Sequence, residues 1–266
     1  MYVFHGVIAA LLFAAGSVSY QAAPPPASRP TVLVPAYFYP TGSGLEDWER
    51  LINSSRKTSI VAIVNPASGP GKEADSNYSG IFSRAKGEPI TLIGYVTTSY
   101  CKRPIEEVKA DVDRWLKIYP QIQGIFFDEQ ASGAEFVEYQ SALFTYVHKN
   151  KQCKLVITNP GTVCAEGFLS KPATDTVCLF EGPQALDPKS LPPWAKNYKP
   201  MRIAALSYKL KSIDSMKECI RNAANSNVGY FYVTDAEGAN PWDRLPKYWD
   251  DEVTAFRTAE PKTTGK

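Results

Sequence analysis

The segment Gly124-Ile125-Phe126-Phe127-Asp128-Glu129 ends an apolar run abruptly in two acids, and Val177-Cys178-Leu179-Phe180-Glu181-Gly182-Pro183 ends a second one in another. Paired carboxylates do glycosidase-type work: one attacks an anomeric carbon or activates water, while the other, kept protonated by burial, gives its proton to the leaving oxygen. Each acid also has an ordinary structural reading, as a helix N-cap or as half of an ion pair. Adjacent residues on a strand point to opposite faces, so Asp128 and Glu129 both reach one site only if the chain turns or bulges there.

Other chemistries find little support. Once a leader is removed only His148 remains, near the end of the amphipathic segment Gly133 to Lys149, where a histidine is ordinarily a solvated cation favoured by the helix dipole. That scarcity weighs against a Ser-His-Asp hydrolase and His-rich zinc sites. Gly71-Lys72 is followed by Glu73, where a P-loop needs Ser or Thr, and Gly42-Ser43-Gly44 lacks the later glycine of a dinucleotide fingerprint.

The acids need a frame, and eight apolar runs supply it: Thr31 to Tyr39, Ile60 to Asn65, Ile90 to Thr97, Gly124 to Glu129, Lys154 to Asn159, Thr176 to Glu181, Arg202 to Ser207 and Gly229 to Thr234. They are β-branched, aromatic and mostly continuous, as in parallel strands covered on both faces. Helical segments lie between them, including Leu45 to Ile52, Pro104 to Tyr119, Gly133 to Lys149 and Ser212 to Ala224. Eight βα units in one domain predict an α/β fold of the (β/α)8 TIM-barrel type, with a doubly wound open sheet as the alternative.

In a barrel the strand ends form the functional face. Asp128, Glu129 and Glu181 are then the catalytic candidates, from strands four and six, roughly 10 Å apart across the sheet, so inward-leaning carboxyls can meet. Candidates for substrate contact are the polar Asn65, Thr97, Asn159 and Asp235, the tyrosines Tyr37, Tyr39, Tyr95, Tyr100, Tyr208 and Tyr232, and Trp242. Most strand tyrosines are core; Tyr39, Tyr100 and Trp242 lie where a flat apolar face with a polar tip suits a sugar ring.

Val7 to Ala15 reads as the apolar core of a signal peptide, with cleavage expected after Ser19. A Pro-rich segment (20–30), one barrel domain (31–258) and a C-terminal tail (259–266) follow. The expected product is secreted, extracellular or in the cell wall, free of the membrane and monomeric. A net charge of +2 without basic runs suggests no nucleic-acid partner. Five cysteines suit an oxidising compartment but leave at least one without an intramolecular partner, and the sequons at Asn53 and Asn77 are expected at the surface.

Four blocks carry a family likeness: Val34-Pro35-Ala36-Tyr37-Phe38-Tyr39-Pro40, Val64-Asn65-Pro66-Ala67-Ser68-Gly69-Pro70-Gly71, Gly94-Tyr95-Val96-Thr97-Thr98-Ser99-Tyr100 and Gly124 to Glu129. Thr158-Asn159-Pro160-Gly161-Thr162 and Leu179-Phe180-Glu181 follow in order and spacing. Together they resemble the spherulin 4 proteins, which include fungal endo-α-1,4-N-acetylgalactosaminidases. The resemblance implies a (β/α)8 fold, a polysaccharide substrate with α-1,4-linked galactosamine, endo action, no metal or other cofactor, and acidic catalytic residues matching Asp128, Glu129 and Glu181. On that basis Asp128 is expected as nucleophile, Glu181 as general acid/base and Glu129 as a supporting carboxylate, with retention; exchanging Asp128 and Glu129 is the alternative. The family tends to place glycine after the third-strand tyrosine, where this chain has Cys101. Rival functions are a cell-wall or spore-coat protein that binds glycan without cutting it, and a hydrolase of another polysaccharide on the same fold.

Overall fold

The computed structural model describes residues 29–149 and 153–259. The expected signal peptide, nearly all of the Pro-rich segment and the tail from residue 260 lie outside the described residues. Eight parallel strands, β1 (Thr31–Ala36), β2 (Ile60–Val64), β3 (Ile90–Thr97), β4 (Gly124–Asp128), β5 (Leu155–Thr158), β6 (Thr176–Gly182), β7 (Ile203–Ser207) and β8 (Tyr230–Val233), pair in sequence order, and β8 pairs with β1 to close the barrel. Each matches an expected run, shortened at one or both ends in most cases because the polar residues past the strand turn into loops. No described helix is long and apolar enough to cross a membrane.

The helices are α1 (Ser43–Ser54), α2 (Ser76–Ala85), α3 (Ile105–Ile118), α4 (Val137–His148), the single turn α5 (Gly167–Ser170), α6 (Ile213–Asn225) and α7 (Trp249–Thr258). Helix α2 has a polar, Gly-containing sequence that periodicity does not flag; its start is fixed by the Asp75 side chain, which accepts from the N–H groups of Asn77 and Tyr78. Between β6 and β7 three short 3-10 turns, each begun by a proline, stand where a barrel helix would be.

Three fully buried tryptophans lock the outer layer, each with its indole N–H satisfied: Trp48 donates to the Phe38 carbonyl, Trp115 to that of Tyr95, and Trp249 of the last helix to the Ser54 hydroxyl of the first. Trp115 lies flat against β3 where Gly94 has no side chain; a Cβ there would come within 2.6 Å of the ring. His148 sits in the last turn of α4, paired with Asp175 at 2.8 Å. That is the expected structural role, with a carboxylate rather than solvent as partner. All five cysteines are free thiols, four of them buried. Asn53 is exposed, but Asn77 is half-buried and its side-chain amide donates to the Tyr39 hydroxyl.

Candidate active site

Strand register places Thr97 beside Asp128, two residues beyond the Tyr95–Phe126 pair, so these four share a face by the two-residue period. Glu129 reaches the same mouth because the chain turns there: its φ is +53°. Hydrogen bonds to its carbonyl from the Thr98 hydroxyl and the Tyr100 N–H hold this conformation, and the Thr97 hydroxyl donates to its carboxylate. This is the turn that two adjacent acids facing one site require.

Glu181 arrives by a different device. The β6–β7 register slips between Cys178 and Phe180, a bulge that accommodates Leu179. Cys178 and Glu181 are three positions apart and would face opposite sides of a regular strand. With the bulge Glu181 lines the mouth beside Asp128, while burial and then the charges of Glu181 and Asp128 push the Cys178 thiol up.

An open cavity of about 440 Å³ at the carboxyl ends of the strands is lined by Tyr100, Asp128, Glu129, Asn159, Pro160, Gly161, Glu181 and Tyr208. The Asn159 amide nitrogen donates to Asp128 Oδ1 at 2.9 Å and to Glu181 Oε2 at 2.7 Å. The two accepting oxygens are therefore closer than the sum of these bonds, about 5.6 Å. Burial raises the Asp128 pKa, opposed by donation from the Glu129 N–H, the Tyr95 hydroxyl and Asn159, and reinforced by the Glu129 charge. Burial also raises Glu181, opposed by Asn159 and the Trp242 indole and reinforced by Asp128. Neither acid has a cationic partner among these groups, so an ion-pair role falls away.

Of the residues expected to touch substrate, Tyr100, Asn159 and Tyr208 line the cavity, while Tyr37, Tyr95, Thr97 and Trp242 surround the acids. The Tyr37 ring meets Tyr95 edge-on at 5.6 Å, and its phenol is pushed up by burial and by Asp128, Tyr95 and Glu181. Trp242 is buried against Tyr208 and Tyr232. Tyr39 stands outside the cavity wall with its ring 45% exposed; its hydroxyl donates to Asp75 and accepts from Asn77.

Two expectations are corrected. Tyr232 is 1% exposed and packs under Trp242, out of a ligand's reach. Asp235 is buried but bound to Arg244 at 2.7 Å and to the Lys247 N–H; these hold its carboxyl low against the desolvation of burial, and they tie the β8 loop together. Asn65 accepts from the Gly69 N–H at 2.9 Å and braces its own turn. Gly161 was not singled out, although its place after Asn159-Pro160 signals a turn: at φ +67° its N–H donates to Asn159 Oδ1.

The model of spherulation-specific family 4 matches residues 31–256. Spherulin-4 of Physarum polycephalum is 29% identical over 258 residues, covering 92% of this chain and 76% of that protein. Among solved structures, Sph3 of Aspergillus clavatus, determined in complex with GalNAc, superposes with a TM-score of 0.75 at 22% identity, covering 88% of this chain and 98% of that one. A family GH99 endo-α-mannosidase from Bacteroides thetaiotaomicron superposes at 0.51 and 13% identity, covering 80% and 82%; both likenesses are of fold. With the family model spanning the whole barrel from β1 into α7, the chain belongs to the spherulin 4 family.

Proposed function

We propose that this protein is a secreted, endo-acting, retaining glycoside hydrolase of polysaccharides containing α-1,4-linked N-acetylgalactosamine or galactosamine. The observation that carries the reading is the pair of half-buried carboxyls, Asp128 and Glu181, whose Asn159-bonded oxygens lie within about 5.6 Å of each other in one open cavity. That limit on the nearest oxygens is compatible with the ~5–5.5 Å separation of carboxyls in retaining enzymes and supports retention as the reading. The GalNAc bound to Sph3 supports the choice of sugar, and the apolar leader at Val7 to Ala15 supports secretion.

The division of roles follows from the donors. Asp128 receives three, from Glu129 N–H, Tyr95 and Asn159, and Glu181 receives two, from Asn159 and Trp242. Donors favour the charged form, and the extra donor to Asp128, set against the neighbouring Glu129 charge, supports reading Asp128 as the carboxylate and Glu181 as the acid. Glu181 protonates the glycosidic oxygen as Asp128 attacks the anomeric carbon; the C–O bond breaks, the leaving chain departs as an alcohol, and a glycosyl ester forms on Asp128. Glu181 then takes a proton from water, whose oxygen displaces Asp128 and restores both groups. Glu129, held by Thr97, lines the cavity as a supporting acceptor.

The test is incubation of the purified protein with galactosaminogalactan, chitin and pectin beside its Asp128→Asn and Glu181→Gln variants. Oligosaccharide release from galactosaminogalactan by the wild type alone is expected. Release from chitin only transfers the reading to another polysaccharide, and binding without release makes the protein a glycan binder.

A further inference from the structure

Asn159 carries more than a substrate-contact role. It is buried, and its side chain has two N–H donors and a carbonyl acceptor. The Gly161 N–H donates to Oδ1 at 2.9 Å, which fixes the amide's orientation and turns the nitrogen toward the acids. The nitrogen then donates to Asp128 Oδ1 and Glu181 Oε2. Both N–H bonds are used, so no donor is left for a sugar hydroxyl. The main chain is equally fixed: the Asn159 N–H donates to the Phe127 carbonyl, and its carbonyl accepts from the Gln130 N–H, on either side of the Asp128-Glu129 pair.

We propose that Asn159 is a positioning residue, a shared donor whose single amide nitrogen sets the separation of Asp128 and Glu181 and biases which oxygen of each carries a proton. This deepens the proposed hydrolase and, for its catalytic consequence, rests on it. An oxygen that accepts from Asn159 offers that donor a lone pair, which favours a proton on Oε1 of Glu181 and on Oδ2 of Asp128 over the bonded oxygens. The acid is thereby aimed away from its partner, and the two carboxyls cannot close on each other to share one proton. Removal of the amide takes a stabilising donor from both anions at once. The other titratable groups around the pair are Tyr37 just after β1, Tyr95 from β3, Tyr100 after β3, Glu129 after β4, Cys178 from β6 and Tyr208 after β7; none is a cation, so no charge replaces the lost donor.

The experiment is a 13C NMR titration of the side-chain carboxyls in the wild type, Asn159→Ala and Asn159→Leu, with D128N and E181Q identifying the two signals. Asn159→Leu keeps the side-chain size and brings neither a donor nor a charge, so it decides the matter if Asn159→Ala does not fold. Both midpoints are expected to move to higher pH in either variant. On a cleavable glycan, the bell of kcat/KM against pH should move up with them, kcat should fall about 10–100-fold and KM should change little. Midpoints that stay in place overturn the proposal, as does a raised KM with unchanged kcat and pH profile, which would make Asn159 a sugar ligand. A wild type that cleaves no glycan while both midpoints move overturns the hydrolase reading and leaves the bridge standing.

Discussion

Tyr95 serves two faces of one strand: its carbonyl accepts from the Trp115 indole of α3 at 2.8 Å, while its phenol donates to Asp128 inside the barrel mouth. The outer helix layer and the candidate nucleophile are thus joined through a single residue of β3. Its hydroxyl lowers the Asp128 pKa against the rise that burial imposes. Tyr95→Phe therefore raises that pKa further, and because the nucleophile acts ionised, the acidic limb of kcat/KM against pH should move to higher pH. Kinetics across the acidic range check this; an unmoved limb would separate Tyr95 from the chemistry.

Glu181→Gln should lower hydrolysis by about 10²–10⁴-fold and stabilise the fold at neutral pH. The folded-state pKa of Glu181 is raised, so its contribution to stability is fully present below the unfolded value and is lost as pH rises through the folded one. A neutral amide escapes that loss. Melting temperatures of variant and wild type should converge at low pH and separate, with the variant higher, as pH rises.

Tyr39 and Tyr100 are the exposed aromatics among the large exposed apolar side chains of the described residues, at 45% and 53%, and both follow barrel strands at the mouth. The Tyr39 hydroxyl is engaged by Asp75 and Asn77, which holds the ring in place before any ligand arrives and reduces the entropy lost on stacking. Tyr39→Ala should raise KM for a long polymer several-fold and leave hydrolysis of a short oligosaccharide unchanged. Equal losses on both substrates would contradict a platform for the extended chain.

Glu252 of α7 is fully buried, accepts from the Val233 N–H at 3.2 Å and has no partner for Oε2. Burial raises its pKa well above the usual carboxylate value, which favours the neutral form. Its contribution is present below the unfolded value and is lost as pH climbs to the folded one. Thermal melts of wild type should fall toward alkaline pH, and Glu252→Gln should flatten that fall.

Gly94→Ala places a Cβ 2.6 Å from the Trp115 ring and forces the indole off β3. Overpacking of this kind costs about 1–3 kcal/mol, a drop of several degrees in Tm for a chain of this size. Calorimetry checks it, and an unchanged Tm would show that α3 can shift outward freely.

Sequence alone determined the barrel and the membership of the site in broad terms. Continuous β-branched runs ending in polar residues specify parallel strands buried on both faces, and the strand ends name Asp128, Glu129 and Glu181. Periodicity could not register what depends on a single backbone angle or on a neighbour distant in sequence. The left-handed turn at Glu129 and the bulge at Leu179 set which way the acids face. Asp235 satisfies the same pattern of a polar residue at a strand end, and only its partner Arg244 withdraws it from the cavity. Asn159 shows the division most plainly: its position after β5 was legible, but its role rests on two oxygens from other strands, 31 and 22 residues away, that closure of the barrel brings within reach of one nitrogen.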